Sequence, residues 1–129
     1  MRIDKKLLDE LTERAKASER LRMNYDLRDS AEDKSQKMLN ALEPGTVLPI
    51  HRHRGCSEVV VMVRGKAVQY MYDNNGNVID EIRMAAASEC PGMVVEPGQW
   101  HRIESLESGT VIMECKEGAY VPLGPEDIL

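Results

Sequence analysis

The chain of 129 residues contains no phenylalanine, and its five aromatic side chains are one tryptophan and four tyrosines. Its core must therefore depend on aliphatic residues and on the eight methionines, which fill irregular gaps well. No apolar run approaches the ~20 residues that a membrane-spanning helix needs. Apolar residues make up 42% of the chain and charged residues 30%, which is typical of a globular domain.

An excess of positive charge is also missing, because the formal net charge is −5. A nucleic-acid partner held by a general electrostatic footprint is therefore not expected. The local pattern differs, since several arginines surround the histidines in sequence. A small-molecule ligand, including an anionic sugar, is compatible with this pattern. These arginines are Arg52, Arg54, Arg64, Arg83 and Arg102.

The chain has only three cysteines, an odd number, and they are widely spaced: Cys56, Cys90 and Cys115. This pattern does not suggest a disulfide framework, and the first residues do not resemble a secretory leader. We therefore expect a reducing, cytoplasmic location. Small buried side chains are the simplest interpretation of the cysteines, but Cys56 stands close enough in sequence to two histidines to reach a soft metal.

The first third of the chain predicts two helices. Apolar residues recur at helical spacing from Ile3 to Ala17, and residues 20–29 break this pattern and favour an extended segment. A second, shorter helix is predicted over residues 31–42, with Ser30 as its N-cap and Asp33 in the capping-box position. The sequence Glu43-Pro44-Gly45 would end it.

From Thr46 onward, short β-rich runs alternate with turn signals and predict an antiparallel sandwich or small barrel. We expect a single, mainly β domain over residues 1–129. It would comprise a helical N-terminal extension (1–44) packed on a barrel (45–121), followed by a tail (122–129). The predicted strands are Val47–His53, Glu58–Val63, Ala67–Tyr72, Val78–Met84, Met93–Glu96, His101–Glu104 and Thr110–Lys116.

The only three histidines are the strongest functional signal. His51 and His53 are two apart on a predicted strand, so their imidazoles would share one face. Glu58 opens the next predicted strand, and His101 opens another after a Pro-Gly turn. Three imidazoles and one carboxylate can hold a divalent transition metal such as Fe, Mn, Zn or Ni and leave coordination positions open. The sequence therefore predicts one metal site inside the barrel, with a structure of merely hydrogen-bonded histidines as the alternative.

These residues resemble the paired motifs of the cupin superfamily. The first motif, G-x5-H-x-H-x4-E-x6-G, matches from Gly45 to Gly65. In the second block, from Gly92 to His101, Pro97 and Gly98 are adjacent and the gap before Pro97 is one residue shorter than usual. The resemblance implies an antiparallel jelly-roll barrel whose metal ligands are His51, His53, Glu58 and His101.

More narrowly, the chain resembles the WbuC-type cupin-fold metalloproteins over about 120 residues. The similarity lies in the segments 22–27, 39–46 and 116–120, whereas Arg28 stands where a histidine is expected. The resemblance implies a connection to bacterial surface-polysaccharide synthesis. It does not assign a reaction to the chain, because the family has no assured biochemical activity.

We therefore expect a small metal-binding protein that binds, isomerises or epimerises a sugar or sugar-nucleotide. The candidates for ligand binding are Arg22, Asn24, Tyr25 and Tyr120, and no catalytic acid or base can be named. Glu114 would either support a metal-bound histidine or face solvent. An Fe- or Mn-dependent dioxygenase and a non-catalytic sensor are the alternatives. A homodimer is also expected, because both faces of the predicted strand from Glu58 to Val63 carry apolar residues.

Overall fold

The computed structural model of the protein describes residues 1–129 and arranges them as one α-helix and eight strands in two antiparallel sheets. The five-stranded sheet has the order β1-β2-β8-β3-β6, and the three-stranded sheet has the order β5-β4-β7. The elements are α1 (Lys5–Ala17), β1 (Arg22–Asp26), β2 (Ser35–Leu42), β3 (Glu58–Arg64), β4 (Lys66–Tyr72), β5 (Val78–Ala85), β6 (Gly92–Val95), β7 (Trp100–Ser105), β8 (Thr110–Glu117) and a 3-10 turn (Pro125–Asp127).

The first predicted helix is confirmed as α1. Asp4 is its N-cap, and the carboxylate of Asp4 accepts a hydrogen bond of 3.1 Å from the Leu7 amide. The apolar stripe buries Leu8, Leu11 and Ala15 against the outer face of the five-stranded sheet. Full burial of each leucine contributes about 1.5–3 kcal/mol. No helix in the protein has the length and apolar character required to cross a bilayer.

The second predicted helix is wrong. Residues 30–33 form a turn in which the Asp33 amide donates to the Ser30 carbonyl, and the chain then enters strand β2. β2 pairs with β1 on one side and with β8 on the other. Its residues 39–42 are all buried, because one face lies under α1 and the other faces the second sheet. Central pairing in the sheet has overridden the local helix signal. The N-terminal extension is therefore not purely helical.

The predicted closed barrel is also wrong, because two separate sheets face one another. Six of the seven predicted β-runs are strands, but the run Val47–His53 is irregular apart from isolated β-bridges at His51. The expected extended segment at residues 20–29 forms β1. The sandwich thus obtains two of its strands from the segment predicted to carry the second helix and the residues before it.

Gly65 lies at the tight connection that carries the chain from β3, in one sheet, to β4, in the other. Its φ is +84°, and a Cβ atom there would lie 2.3 Å from Thr110 Oγ1. Only glycine fits both the left-handed backbone and this close approach. Gly45 and Gly98 also have a positive φ, of +97° and +79°.

Candidate metal centre

The segment that carries the first two histidines lies between β7 and the C-terminal residues. The His51 amide donates to the His101 carbonyl at 3.1 Å, and the His101 amide donates back to His51 at 2.9 Å. On the opposite side, the Arg52 amide donates to the Asp127 carbonyl, and the Leu129 amide donates to Ile50. The backbone of this irregular segment is therefore fixed on both sides without being part of a regular strand.

Arg52 points away from its two histidine neighbours, as the alternation of an extended chain requires. Its guanidinium lies 4.4 Å from the centroid of the Trp100 ring and forms an ion pair of 3.1 Å with Asp127. Trp100 is buried, and its indole N–H donates to the Asn74 side chain. These contacts hold Arg52 outside the site, so that His51 and His53 face inward.

The four predicted metal ligands come together between the sheets. One ligand atom from each of them lies within 4.8 Å of every other. The ring centroids of His51 and His101 are 4.3 Å apart, and the His53 Nε2 atom is 3.2 Å from Glu58 Oε2. Donor atoms at about 2.1 Å from one ion would lie no more than about 4.2 Å apart, so small side-chain rotations suffice to complete a coordination sphere.

The hydrogen bonding of these side chains supports a metal. The atoms His53 Nε2, Glu58 Oε2 and His101 Nε2 are buried and form no hydrogen bond of regular geometry, although the first two lie 3.2 Å apart. Such atoms are costly to leave unpaired, and a shared cation would satisfy all three. The Nδ1 atoms of His51 and His101 lie 3.1 and 2.8 Å from the carbonyls of Pro49 and Gln99. A proton on Nδ1 would leave the Nε2 lone pair free for a metal.

Electrostatics favours the protonation states that bind metals. Burial, and then the neighbouring His101, lower the pKa of His51 to about 4, so that its imidazole is neutral near neutral pH. Burial raises the pKa of the Glu58 carboxyl, but contacts with His101 and His53 outweigh it and keep that pKa well below its usual range. A neutral imidazole and an ionised carboxylate are the forms that bind a divalent cation.

The centre opens into a cavity of about 240 Å³ between the sheets. Most of its lining residues are polar or charged. The lining residues in the interior include His51, Glu58, His101, Asn40, Gln69, Glu114 and Lys116, and those towards the surface include Arg20, Arg22, Asn24 and Tyr120.

Three of the predicted ligand-binding residues, Arg22, Asn24 and Tyr120, line this cavity. Tyr25 does not, because it lies on the opposite face of β1 and packs against the apolar cluster under α1. Cys56 is half-buried with a free thiol, and it is not part of the four-residue cluster.

Glu114, for which the sequence left two roles open, lines the cavity, and Lys116 beside it is a functional candidate that the sequence did not name. The Lys116 ammonium lies 3.6 Å from Glu58 Oε2 and 3.8 Å from Glu114 Oε2, so it connects the two carboxylates. Burial, and then the charge of Glu58, raise the pKa of Glu114 to about 7. A carboxyl that titrates near neutral pH beside a candidate metal can take up and return a proton.

Comparison with solved structures identifies the fold. The capsular polysaccharide assembling protein CapF from Staphylococcus aureus matches with 22% identity and a TM-score of 0.67, over 82% of this chain and 28% of CapF. KdgF from Halomonas sp. matches with 11% identity and a TM-score of 0.61, over 77% and 82% of the two chains. Oxalate decarboxylase from Bacillus subtilis matches with 16% identity and a TM-score of 0.58, over 84% and 27%.

All three are cupin-fold proteins, so the chain has a cupin fold, as the sequence motifs predicted. It spans little more than a quarter of the length of CapF. No curated protein sequence matches the chain. A sequence family described as a domain of unknown function, DUF6016, matches residues 3–84. Because this match covers more than half of the sequence, the chain belongs to that family.

Proposed function

We propose that this protein is a metal-binding cupin that binds, and isomerises or epimerises, a sugar or sugar-nucleotide in bacterial surface-polysaccharide synthesis. The observation that carries the proposal is the convergence of His51, His53, Glu58 and His101, three of which, His51, Glu58 and His101, line a polar cavity. A cavity with many hydrogen-bonding groups suits a polyhydroxylated ligand better than an apolar one.

The similarity to a protein that assembles capsular polysaccharide supports the cellular setting. So does the resemblance of the segments 22–27, 39–46 and 116–120 to the WbuC-type proteins. The structurally similar oxalate decarboxylase has Mn(II) centres, which supports a divalent metal at the equivalent kind of site. We place Fe, Mn, Zn and Ni on equal terms, because the three-histidine, one-carboxylate set accepts each of them.

In this proposal, the bound metal would polarise a carbonyl or hydroxyl group of the ligand. Arg22, Asn24 and Tyr120 would position the ligand from the outer part of the cavity. Glu114 would exchange a proton with the ligand, and Lys116 would stabilise its carboxylate form by charge. Isomerisation and epimerisation both need such a group, since a proton leaves one carbon and returns to another position or face.

An Fe- or Mn-dependent dioxygenase would use the same four ligands and is the second candidate. The two functions can be distinguished by measuring oxygen consumption and proton exchange. The dioxygenase consumes oxygen, whereas isomerisation leaves oxygen unchanged and exchanges a carbon-bound proton of the ligand with solvent.

The experiment that tests the proposal is an NMR screen in D₂O of monosaccharides, sugar phosphates and nucleotide sugars with the protein loaded in turn with each metal. We expect deuterium incorporation or a new stereoisomer for one class, lost in His53→Ala and in Glu114→Gln. Cys56→Ser is the matched control, because Cys56 is close in sequence but outside the cluster. Oxygen consumption without proton exchange would instead support the dioxygenase, and the absence of any reaction would leave a binding function.

We also propose a homodimer through the exposed apolar face at one side of the five-stranded sheet. Val59 on β3 pairs with Val94 on β6, and Val61 lies on the same face of β3. All three are exposed although they are valines in regular strands. An apolar patch of this kind is a common site of association. Sedimentation should show a dimer for the native protein and a shift to monomer for Val59→Lys, whereas a monomeric native protein would contradict this arrangement.

A further inference from the structure

The charge of the cavity is distributed unevenly. Its interior acids, Glu58 and Glu114, both lie near Lys116, but the two guanidiniums at its outer part have no acidic partner. Arg20 forms no ion pair, and Arg22 donates only to the carbonyl of Val47, at 3.0 Å. This concentration of positive charge occurs in a chain whose net charge is −5. Both arginines are thus available to an anion that reaches the cavity from solvent.

The backbone between the two arginines is strained. Leu21 has a φ of +56°, in the left-handed region that leucine rarely adopts. Its carbonyl accepts hydrogen bonds from the Glu43 amide and from Thr46 Oγ1, at 2.9 and 2.6 Å. Strain that is held in place by surrounding hydrogen bonds is characteristic of functional sites. Here the kink places the residues on both sides of Leu21 at one cavity.

The charge of the neighbouring Arg20 also affects the pKa of Arg22. Burial, and then the charge of Arg20, lower the pKa of the Arg22 guanidinium. Two like charges held together are stabilised when an anion binds between them. Because an anion relieves the repulsion between the two guanidiniums, it should bind more tightly than a neutral ligand.

The interior of the cavity offers hydrogen-bond acceptors and therefore requires donors from a ligand. Asn40 is 7% exposed, and its Oδ1 atom is buried without a hydrogen-bond partner. An unpaired acceptor of this kind is satisfied by a donor such as a hydroxyl group. The Glu114 carboxyl lies in the same cavity and offers further acceptor positions. Gln69, which is 1% exposed, also lines it.

The volume limits the size of the ligand. A cavity of about 240 Å³ is smaller than the range of about 300–1,000 Å³ for drug-sized ligands. One sugar ring fits this space, whereas a nucleotide would have to remain outside.

We propose that the cavity binds a monosaccharide-sized anion, with its hydroxyl groups towards Asn40 and Glu114 and its carboxylate or phosphate group between Arg20 and Arg22. This inference rests on the proposed function and specifies its substrate class. A sugar acid and a glycosyl phosphate share the required chemistry, and the phosphate could continue into a nucleotide outside the cavity.

Titration calorimetry with four probes tests the inference on the protein as purified, before and after metal loading. The probes are glucuronate, glucose 1-phosphate, glucose and inorganic phosphate. We expect the two sugar anions to bind at least about 10-fold more tightly than glucose or phosphate, because charge-assisted hydrogen bonds add to the hydroxyl contacts. The stronger of the two sugar anions identifies the anionic group as a carboxylate or a phosphate.

The double variant Arg20→Gln/Arg22→Gln should lower the affinity for both sugar anions by about 10- to 100-fold, much more than the affinity for glucose, and leave the metal content unchanged. Arg83→Gln is the matched control, because Arg83 is an exposed arginine on β5, outside this cavity. Asn40→Leu should weaken all three sugars and leave inorganic phosphate unaffected.

Equal affinity for glucose and the sugar anions would overturn the inference, while the proposed sugar-binding function would stand. Unchanged binding of the sugar anions by the double arginine variant would overturn it too. Phosphate that binds as tightly as glucose 1-phosphate would contradict the hydroxyl contacts. If no sugar bound at all, both the inference and the proposed function would be wrong.

Discussion

The two faces of the five-stranded sheet have opposite characters although they are built from the same strands. On the outer face, under α1, Leu39 and Ala41 of β2 pack with Val111 of β8 in an apolar cluster. On the inner face, the intervening Asn40 and the β8 residue Glu114 line the cavity beside the candidate metal ligands. Alternation along a strand allows the two faces to be selected independently.

The outer face of the sheet contributes mainly to stability, whereas the inner face carries the candidate functional groups. Buried leucine and valine side chains on the outer face each contribute about 1.5–3 kcal/mol to folding. A buried polar atom without a partner costs about 1–3 kcal/mol, and the inner face carries two such atoms, Asn40 Oδ1 and Glu58 Oε2. The helix-covered face thus stabilises a sheet whose other face carries groups suited to metal and ligand binding.

Truncation on the outer face gives the largest expected effect. Leu39 is fully buried, so Leu39→Ala should lower the free energy of unfolding by about 2–5 kcal/mol through lost burial and a residual cavity. Urea denaturation measures this change. Val78→Ala, at an exposed position on β5, should cost less than about 1 kcal/mol.

The metal content of the folded Leu39→Ala protein should match that of the native protein. A loss of less than 1 kcal/mol in this variant, or a loss of metal from its folded form, would contradict the separation of the two faces.

Neutralising the inner carboxyl gives an intermediate effect with a defined pH dependence. The pKa of Glu114 is raised to about 7 from 4.5, so its contribution to stability is present below pH 4.5 and is lost as the pH rises through 7. In the metal-free protein, Glu114→Gln should therefore match the native stability near pH 4 and exceed it by up to about 3 kcal/mol above pH 7. Thermal unfolding across this pH range measures the difference.

Glu117→Gln, at the exposed end of the same strand, is the control for removing a charge. It should change stability by less than about 0.5 kcal/mol at either pH. A constant difference between the native protein and Glu114→Gln from pH 4 to 8 would show that Glu114 is not held in its neutral form.

Replacing Asn40, whose side-chain oxygen is unpaired, gives the smallest expected effect on stability. Asn40→Leu removes a buried acceptor without a partner and should leave the free energy of unfolding unchanged or raise it by about 1 kcal/mol. Urea denaturation again provides the measurement. A loss of more than about 1 kcal/mol would mean that Asn40 serves the fold and not the ligand.

The sequence predicted α1, and it named the four side chains that the structure brings together, because a helical repeat and a sequence motif can both be recognised from residue spacing. The stripe of Leu8, Leu11 and Ala15 is a helical repeat, and the cupin motif places two ligands on one extended segment. The sequence did not predict β2, since Met38, Leu39 and Leu42 also fit one face of a helix. This segment is a strand because it pairs with β1 on one side and with β8 on the other.

Which residues line the cavity depends on the register of the strands, and the sequence does not specify this register. Met38 lies opposite Glu114, and this pairing brings the neighbouring Asn40 and the carboxyl to one cavity. Strand periodicity could nevertheless have separated Tyr25 from Arg22 and Asn24, because residues an odd number apart lie on opposite faces.

Elemental analysis of the protein purified without added metal tests the account most directly. We predict about one divalent transition-metal ion per chain for the native protein and for Cys56→Ser, and less than about a tenth of that for a folded His53→Ala protein. Circular dichroism confirms that the variant is folded. Full retention of metal by His53→Ala would contradict the assignment of this site.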